Sequence, residues 1–236
     1  MADIRPLSDA WNFREGFDED WTRRDLGGEP VALPHTAVDL PFDYFDESAY
    51  QRVFTYQRLI AWQDAFENRE LILRFDGAMA DAHVYVNGDL VLRHADGYTP
   101  FQLRLTDRFK DGACRVSVRI DGSENPLIPP FGGRIDYLTY AGIYREAWLE
   151  LRAAISVARV KVETPDPLGE RQSVRARIWL DATVPIEGTA RVELLDPDGA
   201  KLAETTAAVD GESLDIAFDG LQGLRLWSPA FPAMHR

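Results

Sequence analysis

Short runs of alternating apolar and polar residues, separated by turn signals, limit most strongly the folds open to this chain. Val116, Val118 and Ile120 alternate with Ser117 and Arg119. A period of two places alternate side chains on opposite faces of a β-strand. Because no stretch of 12 residues shows clean helical periodicity, the sequence predicts an all-β fold in which helix is a minor component.

A two-residue turn between apolar runs predicts a β-hairpin. Asn87-Gly88 separates residues 84–86 from residues 90–92, and Asn-Gly accommodates the two positive φ angles of a type I′ turn. Later strands are separated by turn signals at residues 196–199 and 210–211, at a spacing typical of a small β-sandwich. These predicted strands are Val160–Glu163, Val174–Ala182, Ala190–Leu195, Leu202–Val209 and Ser213–Phe218.

Aromatic residues are distributed unevenly along the chain. Residues 1–153 hold 22 of the 26 Phe, Trp and Tyr residues, and residues 154–236 hold four. A length of 236 residues fits one large β domain or two ordinary ones, at about 150 residues per domain. The shift in composition predicts two β-sandwiches in tandem, at residues 1–153 and 154–236.

The charge balance is acidic and argues against several classes of partner. The chain has 39 Asp and Glu against 26 Lys and Arg, a formal net charge of −13. A protein that binds nucleic acid by neutralising phosphates needs the opposite balance, and so does one that is held on an acidic membrane. No segment has the 18 or more apolar residues of a membrane span, and the N-terminus lacks the apolar run of a signal peptide. We therefore expect no nucleic acid and no membrane partner, and a cytoplasmic location.

The residue types that carry most catalytic chemistry are few or scattered. The single cysteine, Cys114, excludes an intrachain disulfide, and its position in a predicted strand favours a buried thiol over a reactive one. His83 and His94 flank the hairpin and are expected to be polar strand-end residues rather than metal ligands. The glycine pairs lack the Lys-Ser/Thr of a phosphate loop, and no Ser-His-acid triad can be assembled. We expect no metal and no cofactor.

Carboxylates and aromatics gather in predicted loops of the first domain. The densest acidic group, at residues 39–47, is expected to be a solvated loop rather than a catalytic pair. Aromatic faces bind the C–H surfaces of sugars, so the aromatic loops indicate carbohydrate binding, with packing in a sandwich core as the open alternative. The acidic residues are Asp39, Asp43, Asp46 and Glu47, and the loop aromatics are Tyr44, Phe45, Tyr50, Phe131, Tyr137 and Tyr140.

Six short motifs follow one another in a fixed order along the whole chain. They are Trp11-Asn12-Phe13, Val31–Thr36, Phe75–Ala78 with Ala82–Gly88, His94–Phe101, Asp136–Glu146, and Leu226–Pro229 with Phe231-Pro232. Together they resemble the N-terminal region of glycoside hydrolase family 2, the family of β-galactosidases, β-glucuronidases and β-mannosidases. Asp96 departs from the family pattern, where a glycine is usual, and this puts in doubt any turn that needs a positive φ there.

The resemblance implies a fold and a separation of sugar binding from catalysis. It implies a galactose-binding-like jelly-roll sugar-binding domain, followed by an immunoglobulin-like β-sandwich. It also implies a retaining O-glycosyl hydrolase whose two catalytic glutamates lie in a TIM barrel. Because the motifs occupy the chain as far as Pro232, we expect that barrel outside these 236 residues. No residue here is then catalytic, and the chain alone is expected to be inactive.

The resemblance assigns a substrate-binding role to one residue. Asp136 lies six residues before Gly142, where the family places an Asp that touches the sugar in the −1 subsite. A carboxylate can accept two charge-assisted hydroxyl bonds, and a turn-forming Asp is the alternative. Tyr140 and Arg145 are expected to be structural, the Tyr by packing and the Arg by pairing with an acid or a carbonyl. His35 is expected to be a satisfied loop histidine.

Two functions remain open at this point. In the first, the chain is the non-catalytic N-terminal portion of a family 2 glycoside hydrolase, which caps the active site, contacts the sugar and presents oligomer contacts. Its partners are then a β-glycoside and a C-terminal TIM barrel. The alternative, motivated by the aromatic loops, is a free-standing carbohydrate-binding or adhesion module. The identity of the sugar stays open in both.

Overall fold

The structure is a computed structural model that describes residues 3–39, 41–43, 46–129 and 138–236. Within these ranges the regular structure consists of β-strands and three short 3₁₀ turns, at Glu19–Thr22, Glu47–Ala49 and Asp64–Phe66. The all-β prediction is confirmed. The strands are β1 (Asp3–Pro6), β2 (Trp11–Glu15), β3 (Glu29–Val31), β4 (Val53–Ala61), β5 (Arg69–Phe75), β6 (Asp81–Val86), β7 (Asp89–Ala95), β8 (Phe101–Arg104), β9 (Ala113–Asp121), β10 (Ala147–Ala153), β11 (Ile155–Glu163), β12 (Gln172–Ala182), β13 (Gly188–Leu195), β14 (Lys201–Val209) and β15 (Ser213–Leu221).

The chain separates into two compact units, residues 1–152 and residues 153–236. Each unit has its own hydrophobic core. In the part of the chain that the structure describes, no helix is long and apolar enough to cross a membrane.

Unit 1 is a sandwich of two antiparallel sheets. The described strands of one sheet run in the order β3-β2-β4-β9-β6-β7, and those of the other in the order β1-β10-β5-β8. β4 and β9 pair over nine positions, from Val53 opposite Asp121 to Ala61 opposite Ala113. Their alternating apolar side chains turn inward and meet those of the second sheet in one core. Trp11 is fully buried there, and its indole N–H donates to the carbonyl of Leu7 at 2.7 Å.

The predicted hairpin is formed by β6 and β7. Asn87 and Gly88 have φ angles of 51° and 95°, the two positive values that a type I′ turn requires. The Asn87 side chain also holds the turn against its neighbours. Its amide donates to the carbonyl of Arg108, and its oxygen accepts from the N–H of Arg115 at 2.8 Å.

Cys114 lies on β9 and is fully buried, as the sequence predicts. Burial raises the pKa of the Cys114 thiol to about 11, because the thiolate would lose its hydration. The side chain therefore belongs to the core of unit 1 and remains protonated at neutral pH.

Unit 2 contains a three-stranded sheet, β11-β12-β15, and a two-stranded sheet, β13-β14. All five strands predicted for this part of the chain are present, with boundaries that differ by up to five residues. The apolar residues of both sheets share one core. Its buried members are Val174, Ile178, Leu194, Val209, Leu214, Ile216 and Phe218.

A buried glutamine joins the Glu19–Thr22 turn and the chain that follows it to the larger sheet of unit 1. Gln57 on β4 is 1% exposed. Its side-chain nitrogen lies 2.6 Å from the carbonyl oxygen of Trp21 and 3.1 Å from that of Arg24. Its oxygen accepts from the N–H of Leu26 at 2.9 Å and from the Arg115 guanidinium at 2.8 Å. One side chain thus satisfies backbone groups that the 3₁₀ turn leaves unpaired.

Replacing Gln57 by Leu is expected to lower the free energy of unfolding of unit 1 by about 3 kcal/mol, because several buried polar groups lose their partners at once. Native-state hydrogen exchange of the buried β9 amides measures this change. Gln102→Leu is the control, because Gln102 is exposed on β8 and its replacement should cost under about 0.5 kcal/mol. Equal losses in the two variants would contradict the role given to Gln57.

Candidate functional site

The segment Ala141–Ile143 is fixed by backbone hydrogen bonds on two sides. On one side, Ala37 donates to the Ala141 carbonyl at 2.7 Å and His35 donates to the Ile143 carbonyl at 2.8 Å. On the other side, Gly142 and Met79 exchange two bonds, of 2.9 and 3.2 Å. This segment directly follows the loop for which the sequence predicts a sugar contact, so one end of that loop has a rigid anchor.

Only glycine fits at the centre of this anchor. Gly142 has a φ of +121°, a region that side chains rarely adopt. A Cβ atom there would lie 2.6 Å from the carbonyl oxygen of His35 and 2.7 Å from the Tyr56 hydroxyl. Both distances are far below van der Waals contact. Gly142 therefore allows the chain to pass close to residues 35–37 and to β4.

Buried Tyr56 and partly buried His35 form a polar pair beside the anchor. The His35 Nδ1 atom lies 2.8 Å from the Tyr56 hydroxyl. Burial raises the pKa of Tyr56, an effect that a hydrogen bond from the Ile143 backbone partly offsets, so the phenol stays protonated and keeps an O–H to donate. Burial also lowers the pKa of His35, against the attraction of Asp39 and Glu29. We therefore expect neutral His35 to accept the Tyr56 O–H at Nδ1 and to carry its own proton on Nε2.

A second loop packs beside the anchor. The Tyr144 hydroxyl donates to the carbonyl of Gly97 at 2.6 Å, and the Arg145 guanidinium donates to that of Tyr98 at 3.2 Å. Arg145 thus pairs with a carbonyl, in line with the structural role expected for it. Asp96 accepts from the N–H of Tyr98 at 2.7 Å and has no positive φ, so the doubt about a strained turn at this position is removed.

The other end of the predicted sugar-contact loop also has an apolar support. Ile128 is 7% exposed and packs with Met79 and Ala80, against which Tyr98 and Tyr144 also pack. After the loop, Leu138 packs against the main core of unit 1. The chain is therefore held on both sides of residues 130–137.

Several residues predicted for the site lie outside the described residues. They are Asp136, Tyr44, Phe45, Phe131 and Tyr137. Tyr140 is described; it is 38% exposed, has a φ of +46°, and its ring centroid lies 6.4 Å from that of Tyr50.

For Tyr50 the structure agrees with the alternative left open by the sequence, packing in the sandwich core. Tyr50 is 2% exposed and belongs to the core of unit 1. The 3₁₀ turn at Glu47–Ala49 ends directly before it, and the chain there enters the sandwich. Tyr50 and Tyr140 are the two of the six named loop aromatics that lie among the described residues, and Tyr140 is the more exposed of the two.

The acidic loop has the character of a solvated surface. Asp39, Asp43 and Asp46 are exposed. Hydrogen bonds from Ser48 lower the pKa of the Asp46 carboxyl, which accepts from the Ser48 N–H at 2.9 Å. Among Asp39, Asp43 and Asp46, the described carboxylates of this loop, no two are held in a fixed pair.

The hairpin histidines do not converge on a shared site. His83 faces Arg93 across the β6–β7 ladder and His94 faces Ala82, so the two rings lie on opposite faces of the sheet. His83 lies 3.3 Å from Asp81, and His94 stacks on Phe101 with ring centroids 4.4 Å apart. Among the described residues no group of three or more His, Cys, Asp and Glu side chains could hold a metal ion.

Comparison with known proteins assigns the family. The model of "Glycosyl hydrolases family 2, sugar binding domain" matches residues 22–152, more than half of the chain and most of unit 1. The chain belongs to glycosyl hydrolase family 2. The anchor at Gly142 and the loop at residues 96–100 both lie within the matched region.

The relatives extend the likeness through unit 2. The chain is 40% identical over 244 aligned residues to a β-galactosidase of Rhizobium meliloti. The alignment covers 100% of this chain but 31% of that protein. A β-galactosidase of Thermoanaerobacterium thermosulfurigenes is 31% identical, again with the whole chain aligned and 34% of the relative covered. The chain thus spans about a third of the length of these family 2 relatives.

Solved structures share the fold. A calcium-binding mutant of Bacteroides uniformis β-glucuronidase 2 superposes with a TM-score of 0.82 at 23% identity, over 100% of this chain and 30% of that chain. A putative β-galactosidase from Bacteroides fragilis gives a TM-score of 0.79 at 22% identity, over 99% of this chain and 38% of that chain. The succession of two β-sandwiches expected from the resemblance is therefore the fold of this chain.

Replacing Gly142 by Ala is expected to lower the free energy of unfolding of unit 1 by about 3 kcal/mol, because the methyl group meets backbone that cannot move away. Gly112→Ala is the matched control: Gly112 also has a positive φ, +77°, but open space around it, so its cost should be about 1 kcal/mol. Urea unfolding followed by hydrogen exchange of unit 1 compares the two. A smaller loss at Gly142 than at Gly112 would contradict the proposed close fit.

His35 is expected to make unit 1 less stable on acidification. Its folded pKa lies below the unfolded value of about 6.5, so the stability it contributes is present above that value and is lost as the pH falls through the folded pKa. Unfolding measured between pH 5 and pH 7 tests this. His35→Gln keeps an acceptor for Tyr56 but does not titrate. The variant therefore separates the contribution of His35 to the pH dependence from that of His83, whose pKa is also lowered by burial. Nitrogen NMR showing the proton on Nδ1 of neutral His35 would contradict the assignment.

Proposed function

We propose that this chain is the sugar-contacting, active-site-capping portion of a retaining β-glycoside hydrolase, with catalysis carried out by a TIM barrel elsewhere in the polypeptide. The observation that carries the proposal is the 40% identity, across the entire chain, to a β-galactosidase three times as long. β-Galactosides are the proposed substrates, because the two relatives described above, which are 40% and 31% identical across the whole chain, are named β-galactosidases.

The proposed reaction uses two carboxyl groups that flank the glycosidic bond, one as acid and base and the other as nucleophile. In this proposal neither belongs to residues 1–236. The chain supplies groups that bind and orient the sugar and exclude water from the reacting atoms. Positioning of this kind lowers the barrier by holding the substrate in a reactive geometry.

The anchor at Gly142 supports the role proposed for Asp136. Asp136 precedes Leu138 by two residues and Gly142 by six, and both of these residues are fixed in unit 1. A carboxylate can accept two charge-assisted hydroxyl bonds of one sugar ring, and a binding residue is more effective when rigid elements support its site. We propose that Asp136 makes this contact in the −1 subsite.

A free-standing carbohydrate-binding module is the second candidate. The observation that favours it is the partly exposed ring of Tyr140, which offers an aromatic face for a sugar without help from another domain. Isothermal titration calorimetry of the chain with galactose separates the two candidates. Millimolar or tighter binding supports the module, whereas no detectable binding supports a site that is complete only beside the barrel.

The role of Asp136 can be measured in a chimera in which residues 1–236 replace the aligned region of the Rhizobium meliloti β-galactosidase. Asp136→Asn keeps the shape but removes the charge, and should lower kcat/KM for nitrophenyl β-galactoside roughly 10- to 100-fold, the cost of a charge-assisted hydrogen bond.

Asp107→Asn is the control for the chimera, because Asp107 is 82% exposed and pairs only with Arg104 at the surface. It should leave kcat/KM unchanged. The proposal for Asp136 fails if both variants retain full activity. The wider proposal fails if the 236-residue chain alone releases nitrophenol, since it would then contain the catalytic groups itself.

A further inference from the structure

Trp62 presents a partly exposed ring at one end of unit 1. Its backbone N–H donates to the Gly112 carbonyl at 2.8 Å, where β4 ends and β9 begins. At the other end of the two strands, a Cβ atom on Gly122 would lie 2.5 Å from the Cβ atom of Ala141. Trp62 and the anchor at Gly142 therefore lie at opposite ends of β4 and β9, about 25–30 Å apart at about 3.3 Å per strand residue.

Two phenylalanines hold the Trp62 ring from one side. Its centroid lies 5.7 Å from that of Phe66 and 5.1 Å from that of Phe109, with interplanar angles of 86° and 81°. The two Phe centroids are 5.9 Å apart, so the three centroids form a nearly equilateral triangle and both Phe rings lie on the same side of Trp62. Phe66 is 1% exposed, and Phe109 packs against the core of unit 1. Because Trp62 is 40% exposed, a ring with a fixed orientation meets solvent on its other side.

The other five tryptophans lack this combination of exposure and support. One is fully buried, and the indole N–H of Trp148 donates to a carboxylate. Guanidinium groups cover the rings of Trp21 and Trp179, at 4.5 and 3.8 Å from the centroids. Trp227 is 58% exposed, but no described aromatic or cationic group holds its ring.

Hydrogen-bonding groups lie beside the Trp62 ring. Four residues next to Trp62 or Phe109 in the sequence are polar and exposed: Gln63, Asp64, Lys110 and Asp111. The Arg5 guanidinium donates to the Gln63 oxygen at 3.0 Å, which fixes the amide group. In the part of the chain that the structure describes, the Gln63 amide nitrogen and the Trp62 indole N–H have no hydrogen-bond partner.

A fixed ring with donors and acceptors beside it matches the chemistry of a pyranose. The C–H groups on one face of a pyranose pack on the electron-rich face of an aromatic ring, and its hydroxyls exchange hydrogen bonds with neighbouring polar groups. A stable protein partner needs about 800 Å² per partner around an apolar centre, whereas here one ring is exposed next to charged residues. Asp64 and Asp111, together with the net charge of −13, favour a neutral sugar over an anionic one.

We propose that Trp62 forms a binding platform for one pyranose ring of a neutral saccharide. The platform does not involve Asp136, so it goes beyond the proposed function and can fail separately from it. A single stacked ring gives binding weaker than millimolar, below the affinity expected of a free-standing module. A longer saccharide that is also bound elsewhere reaches such a platform at a raised effective concentration.

The direct test is a titration of the chain with methyl β-galactoside, followed through the NMR signals of the six tryptophan indole N–H groups. The Trp62 signal is identified by its loss in Trp62→Phe. It should shift and saturate at tens of millimolar sugar, whereas the signal of Trp227 should not move. Sorbitol is the matched control ligand, because it has the hydroxyls of a hexose but no ring face. An equal shift with sorbitol, or no shift with the sugar, would overturn the proposal.

A substitution checks that the aromatic face carries the binding. Trp62→Leu keeps an apolar side chain but removes the ring, so the sugar affinity read from the Gln63 and Asp111 amide signals should fall about tenfold. Trp62→Tyr keeps a ring and should retain binding, and Trp227→Leu should leave it unchanged. Hydrogen exchange of the β9 amides checks that each variant is folded. Unchanged affinity in folded Trp62→Leu, or loss of binding in folded Trp62→Tyr, would contradict the platform.

Three further results would assign the ring to something else. Asp136→Asn should leave the Trp62 titration unchanged, and its loss would place the sugar at the candidate site instead. Methyl β-glucuronide should bind more weakly than the galactoside because Asp64 and Asp111 repel its carboxylate, and tighter binding would overturn the choice of a neutral ligand. A Trp62 signal that shifts with protein concentration, together with a dimer in analytical ultracentrifugation, would assign the ring to a contact between two copies.

Discussion

The close backbone contact at Gly142 holds the candidate site of unit 1 together. Hydrogen bonds from residues 35–37 and from Met79 meet on this short segment, and Tyr56 reaches it from β4. These groups come from four separate stretches of the chain. The described residues on either side of positions 130–137, Ile128 and Leu138, both pack within unit 1.

Much of the fold could be predicted because its signals are local. Alternation shows the strands of both units, and Asn87-Gly88 shows the hairpin turn, since each depends on neighbours in sequence. The pair of His35 and Tyr56 joins residues 21 positions apart, and no spacing rule points to it. The sequence left the position of Tyr50 open for the same reason. An aromatic next to a turn can lie in a surface loop or in the core, and the tertiary packing decides between them.

The two units support the functional conclusion in different ways. The family model covers residues 22–152, which include the anchor and the neighbouring loop, so the link to sugar binding belongs to unit 1. Unit 2 is joined to the family by the relatives that align over the whole chain. The buried core residues of unit 2 each keep 4–8% of their surface exposed, whereas core residues of unit 1 such as Leu71 and Val84 have no exposed surface.

The burial of Cys114 has a practical consequence. Its thiol is fully enclosed, and at neutral pH the fraction present as thiolate is very small because its pKa is about 11. Maleimides and similar reagents attack exposed thiolates, so we expect Cys114 in the folded chain not to react with them. A cysteine introduced at any surface position can carry a spectroscopic label without removal of the native one, and distances can be measured in the otherwise unaltered protein.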